Sequence, residues 1–268
     1  MKERNGGRKG GDEAARSYTI VLEASTNEGS VALLDDSRVV AERSLGPEQA
    51  SPSRRPDRLM PAIAECLEEV GVNRGEIARI VCGAGPGSFT SLRVAGSVAK
   101  GLATGYGVNL YAVSSLLLTV TGAQPPIEPG EYMSVLDAMR GEMYSARVSL
   151  QPDGFATQIE PVTILSAGQL REIAATGRGV RVIGPGQQND GHPHARGVAA
   201  ILDSIIESGP VDLAAWEPDY GRLAEAQLRW EAAGPSRLIQ GDVNGDAAAD
   251  LTITVAGTGL VDSAWFIL

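Results

Sequence analysis

The chain has 268 residues, of which 43% are hydrophobic, and 33 acidic against 23 basic side chains give a formal net charge of −10. That apolar content suffices for one large domain or two lobes, and no apolar run reaches membrane-spanning length. The acidic balance opposes direct binding of a polyanion, so any nucleic-acid contact falls to a local basic patch, such as Arg54, Arg55 and Arg58, or to a partner. Cys66 and Cys82 are the only cysteines; both read as buried small hydrophobes with no disulfide, in keeping with a reducing cytoplasm.

Residues 1–16 are charged and Gly-rich without the apolar stretch of a secretory leader, and are expected to be a disordered lead-in. Strands are expected at 18–23, 30–34 and 38–44, then a polar loop at 45–56. Leu59, Ile63 and Leu67 recur at helical spacing, so a helix spans 57–70, with Pro61 in its first turn. A strand at 77–82 leads through a glycine-rich turn into a helix at 90–104. A strand at 110–113 and a helix at 115–122 close a first lobe, residues 17–123. The Gln124–Gly130 stretch holds three prolines and reads as a linker. The second lobe, residues 131–235, has expected strands at 132–138, 142–150 and 155–163, a helix at 166–176, a strand at 180–184 and a helix at 195–208. Hairpin strands followed by helix, strand and helix occur in both halves. The fold class is therefore α/β with a duplicated lobe, the second one reduced.

The most informative segment is Gly83-Ala84-Gly85-Pro86-Gly87-Ser88-Phe89-Thr90-Ser91-Leu92-Arg93. A glycine turn between a strand and a helix can present backbone amides to an anion, with Ser88 and Thr90 as N-cap candidates. It can equally be a plain joint. It has neither the Gly-Lys-Ser/Thr ending of a P-loop nor the G-x-G-x-x-G spacing of a dinucleotide site. The helix that follows carries Val94, Val98 and Leu102 on one stripe and Ala95, Ala99 and Ala103 on the next, beside Gly96. Such a surface suits either packing on the parent sheet or close approach of another subunit.

The string GPGSFT-x-LR followed by AKGLA resembles the signature of the bacterial TsaB (YeaZ) family. Ser30–Leu34, Leu59-Met60-Pro61-Ala62-Ile63, Val113-Ser114-Ser115-Leu116, Asp137-Ala138-Met139-Arg140-Gly141-Glu142-Met143-Tyr144 and Pro218-Asp219-Tyr220 resemble further family segments in the expected order, so the likeness spans residues 18–232. It implies the actin-like/Hsp70/sugar-kinase (ASKHA) fold. The implied role is that of a non-catalytic partner of the threonylcarbamoyl transferase TsaD in threonylcarbamoyladenosine modification of tRNA, working with the ATPase TsaE in the cytoplasm and meeting tRNA mainly through the partner. The resemblance places the partner or homodimer interface on Leu59, Met60, Ile63, Leu92, Ala95, Gly96 and Ala99. An ATP or ADP site with Mg, degenerate or shared, would draw on Gly85, Gly87, Ser88, Thr90 and Asp137. The first strand ends in Glu23 where this family usually shows Asp, which puts metal and phosphate geometry in doubt.

The alternative function is an ATP-dependent phosphotransferase or carbamoyl transferase acting alone. Against it, the only histidines, His192 and His194, sit in a Gly/Pro loop and read as exposed, and no catalytic triad can be assembled. Residues 239–268 depart from the family and resemble the end of serralysin/RTX-type proteins. There Asp242, Asn244, Asp246 and Asp250 stand at spacings suited to a Ca²⁺ loop or to a solvated acidic turn.

Overall fold

The computed structural model describes residues 17–46, 58–175, 179–220, 227–233, 236–242 and 251–256. Three strands, β1 (Tyr18–Glu23), β2 (Ser30–Asp35) and β3 (Arg38–Ser44), form an antiparallel meander. Beyond it, β4 (Ile77–Gly83) runs parallel to β1 and β5 (Asn109–Val113) parallel to β4, so the sheet order is β3-β2-β1-β4-β5. Strand alternation puts an apolar set on each face. Ile20, Leu22, Val31, Leu33, Ile80, Cys82 and Leu110 face α1 (Leu59–Val70) and α2 (Phe89–Tyr106). Val21, Ala32, Leu34, Val81, Tyr111 and Val113 face the opposite way, toward α3 (Ser115–Thr121), a 3-10 turn at Ala195–Ala200 and α5 (Leu202–Glu207).

A second sheet repeats this plan. It contains β6 (Gly130–Asp137), β7 (Glu142–Leu150), β8 (Ala156–Gln158), β9 (Thr163–Ser166), β10 (Val180–Gly184) and β11 (Asn189–Asp190), in the order β11-β10-β6-β7-β8, with β9 also on β7. With β6 in the place of β1, strand order and directions match the first sheet. The repeat is shorter: four residues join β10 to β11, where the 18-residue α2 joins β4 to β5. One face of this sheet holds Val135 and Val182 against Leu170 of α4 (Ala167–Ala175). The other meets α3, with Val120 beside Tyr132 and Val148, and Leu116 beside Leu136 and Ala146.

Helix α3 thus lies between the sheets, apolar on both sides as a buried helix must be. Leu118 belongs to the first core, Leu116 and Val120 to the second, and Leu117 touches both.

Two expected elements divide. The single strand at 155–163 becomes β8 and β9, because Pro161 in the intervening segment has no N–H to pair. The single helix at 195–208 breaks at Ile201 (φ −133°, ψ 11°), where Val198, Ile201, Leu202 and Ile205 all turn into the first sheet. The described chain up to Tyr220 forms one compact unit and the strands from Gln227 onward a second. In the latter, β12 (Gln227–Ala233), β13 (Ser236–Asp242) and β14 (Leu251–Ala256) make an antiparallel meander. Ala233 pairs with Ser236, so the boundary expected between 235 and 239 falls inside a hairpin. Arg54 and Arg55 of the expected basic patch and Asn244, Asp246 and Asp250 of the acidic run lie outside the described residues, and Asp242 ends β13.

Because α3 serves both cores, Leu118→Ala is expected to cost about 2–5 kcal/mol. Chemical denaturation should show one earlier transition for residues of both sheets, not a separate loss of the first.

Candidate functional site

The glycine turn follows β4 and opens α2, as its sequence predicts. Three of its amides, however, are engaged by the chain itself. Ala84 N donates to Val113 O (2.7 Å), Gly85 N to Ser115 Oγ (3.1 Å) and Ser88 N to Ser25 O (2.7 Å). In return Ala84 O accepts from Asp219 N (2.7 Å) and Gly85 O from Ser115 N (2.8 Å). The glycines are required by these crossings. A Cβ on Gly85 would overlap Asp219 O, and one on Gly87 would overlap Ser25 O. These crossings make the turn a joint between Ser25, Val113, Ser115 and Asp219.

At its centre stands Glu23, fully buried at the end of β1. Its Oε1 accepts from Ser25 N (2.6 Å) and its Oε2 from Ser115 Oγ (2.9 Å). Since Ser115 Oγ also accepts from Gly85 N, one hydrogen-bonded path links the glycine turn, the start of α3 and the end of β1. Gly83 leaves the carboxyl its space, as a Cβ there would overlap Glu23 Oε2. Burial pushes the Glu23 carboxyl above the usual carboxylate range, and its hydrogen bonds with Ser25 and Ser115 offset this only in part. The thiol of neighbouring Cys82, itself fully buried, is pushed up by burial first and by the Glu23 charge second.

The other expected ligand residues have local roles. Ser88 Oγ donates to Ser91 Oγ (3.1 Å) and makes no side-chain cap, and Thr90 is exposed in the first turn of α2. Asp137 Oδ1 accepts from Met139 N (2.8 Å), bracing a β6–β7 turn in which Met139 (φ 66°) and Arg140 (φ 57°) adopt left-handed backbone. The histidines, expected to be exposed, are partly buried. His194 Nδ1 accepts from Arg196 N (3.2 Å) and Arg196 Nε (3.0 Å). Burial, and then the Arg196 charge, lower its pKa to about 4, so the ring is neutral. Among the described residues no group of three or more His, Cys, Asp or Glu side chains is placed to hold a metal ion.

The expected interface residues require correction. Leu59, Ile63, Leu92, Ala95 and Ala99 are all at most 2% exposed, inside the chain's own core. Gly96 faces Pro218, whose Cγ would lie 3.1 Å from a Cβ there. Val94, Val98 and Leu102 are half-buried against the same core, so both stripes of α2 pack inward. Only Met60 of the set is exposed, at 51%. The outer face of α2 is instead Arg93, Ser97, Gly101, Thr104 and Gly105, and nothing lies within 4 Å of a Cβ position at Gly101 or Gly105. Ser97, Gly101 and Gly105 recur every fourth residue, a signal that the buried valine and alanine stripes masked. Phe89, 42% exposed, stands at the head of this face.

Two lobes sharing one strand order, with a glycine turn opening the long helix of the first, define an ASKHA-type α/β protein. The family model of TsaD, tRNA N6-adenosine threonylcarbamoyltransferase, matches residues 43–164. The chain is 30% identical over 135 residues to the tRNA threonylcarbamoyladenosine biosynthesis protein TsaB of Escherichia coli, covering 50% of this chain and 56% of that one. It is 25% identical over 233 residues to TsaB of Bacillus subtilis, covering 79% and 96%. YeaZ from Pseudomonas aeruginosa superposes with a TM-score of 0.62 at 24% identity, over 76% of this chain and 99% of that one. The chain is therefore similar to the TsaB (YeaZ) proteins, and it spans little more than half the length of the Escherichia coli relative.

A carboxyl whose folded pKa is raised binds its proton more tightly in the native state. Its stabilising contribution is full below the unfolded value near 4.5 and is lost as pH rises through the folded value. Glu23→Gln keeps the shape and removes the charge. We expect its melting temperature to gain on that of the wild type as pH rises from 4.5 to 8, by about 2–4 °C per kcal/mol of removed penalty. A constant difference across that range in calorimetry would refute the buried, raised carboxyl.

Proposed function

We propose that this chain acts in the biosynthesis of threonylcarbamoyladenosine in tRNA as a non-catalytic partner of a TsaD-type transferase. The observation that carries this reading is a contrast. The glycine turn is closed from within by Ser25, Val113, Ser115 and Asp219, while the small-residue face of α2 is open to solvent. An ASKHA lobe that uses the Ala84, Gly85 and Ser88 amides internally is poorly suited to nucleotide chemistry alone. A helix face of Ser97, Gly101 and Gly105, flanked by Phe89 and Arg93, suits close approach of another helix. Similarity of residues 43–164 to the TsaD model supports a partner built on the same lobe. A homodimer would use the same face in the partner's absence. A net charge of −10 assigns tRNA contact mainly to the partner. A TsaE-type ATPase and any ATP or ADP with Mg would join at a shared site. Among the described residues no helix is long and apolar enough to cross a membrane, and the proposed setting is the cytoplasm.

Light scattering on a sizing column, with the chain alone and mixed with its TsaD-type partner, tests this reading. A heterodimer is expected to replace the free species. Gly101→Arg should weaken that complex by about tenfold or more, equivalent to roughly 1.4 kcal/mol, with the fold intact because arginine is the better helix former. Ala99→Arg, by contrast, forces a charge into the core and should unfold the chain. If the intact chain forms no complex, the partner role fails; if Gly101→Arg assembles normally, the face is misassigned.

A further inference from the structure

After α5 the chain crosses the first lobe in a segment without regular secondary structure, Val211–Tyr220. Among the described residues two main-chain bonds hold it to the first lobe, one near each end: Val211 N to Leu110 O (2.9 Å) and Asp219 N to Ala84 O (2.7 Å). Between them, Ala215 N and Trp216 N bond locally to Asp212 O. The remaining attachment is by side chains. Pro218 is buried over Gly96, and Trp216 rests half-buried on the core. Lys100 Nζ lies 3.2 Å from Glu217 Oε1 and 5.9 Å from the centre of the Trp216 ring. Tyr220 packs on Phe89 with centroids 4.6 Å apart and donates to Glu217 Oε2 (3.2 Å). Tyr144 Oη, from the second sheet, donates to Tyr220 O (3.1 Å). Asp212, Ala214, Ala215, Glu217 and Asp219 are exposed.

This is how an extended peptide lies in a recognition groove. A proline is flanked in sequence by two aromatic residues, Trp216 and Tyr220, an acidic side chain meets a lysine, and two backbone amides are read by the first lobe. Gly85 and Gly96 shape the seat, since a Cβ at either position would press on Asp219 or Pro218. Few main-chain bonds and many exposed residues mark a segment that opens below the cost of global unfolding.

We propose that Val211–Tyr220 is a releasable strap, an intramolecular ligand that occupies a peptide-binding groove formed by α2 and the glycine turn. The external occupant of the vacated groove is an extended segment of the same chemistry on a partner protein: an aromatic, an acid, a proline and a second aromatic two residues further on. The strap is an autoinhibitory contact, and its opening governs access to the groove. This inference does not depend on the partner role proposed above, because its test contains no TsaD-type protein.

Hydrogen exchange on the full chain, together with binding of a fluorescent peptide of sequence Val211–Tyr220, tests it. The amides of Val211, Trp216 and Asp219 should exchange about 100-fold faster than those of β1 and β4. In the double variant Trp216→Ser, Pro218→Ser they should lose protection while β1 and β4 keep theirs. The peptide should bind that variant at least about tenfold more tightly than it binds the wild type. A peptide carrying Glu217→Lys should bind more weakly, and adding Lys100→Glu to the protein should restore it, which a purely structural strap would not show. Should the double variant fail to fold, Glu217→Lys in the full chain serves in its place. Strap amides exchanging as slowly as β1, or no peptide binding to a folded variant with the strap unseated, overturns the proposal.

Discussion

One buried carboxyl organises the first lobe. Glu23 is fully buried, so its oxygens must be met by donors. Ser25 N and Ser115 Oγ meet them, and Ser115 Oγ in turn takes Gly85 N. Three segments far apart in sequence are thereby drawn to one point: the end of β1, the glycine turn and the start of α3. The absence of a side chain at Gly83 follows from the same constraint. Glu23, which stands where the resembling family usually shows Asp, is the internal fastening of the turn.

The second constraint is that α3 belongs to two cores. Its seven residues present Leu118 to one sheet and Leu116 and Val120 to the other, so neither sheet can be completed without it. The 3-10 turn and α5, which follow the second sheet in the chain, cover the remaining face of the first. The lobes are duplicated in topology yet interdependent in packing. This leaves the outer face of α2 exposed to solvent.

Much of this was legible beforehand. Alternation and turn residues placed the strands of the first sheet and β6, β7 and β10 of the second, and the repeat of hairpin, helix and strand implied the duplicated lobe. The glycine turn was placed correctly but its role was not decided, because glycines serve an anion cradle and a backbone crossing equally well. The difference lies in Ser25, Ser115 and Asp219, which are remote in sequence. Helix α2 misled for a related reason. Its valine and alanine stripes both read as available surface, whereas the sheet takes one flank and Trp216 with Pro218 the other. The faces left over are those of Ser97, Gly101 and Gly105, the least conspicuous residues of the helix. The histidines, too, read as loop residues until Arg196 and the close packing of that loop buried them.

The sequence by itself determined the α/β class, the order of strands and helices, the doubling of the lobe and the family resemblance, because these follow from local periodicity, turn chemistry and motif order. Only the tertiary structure decided that the Ala84, Gly85 and Ser88 amides are already bonded, that Glu23 faces inward, and which third of α2 remains exposed. Each of these depends on long-range contacts that satisfy or cover a group, and such contacts leave no local signature in the chain.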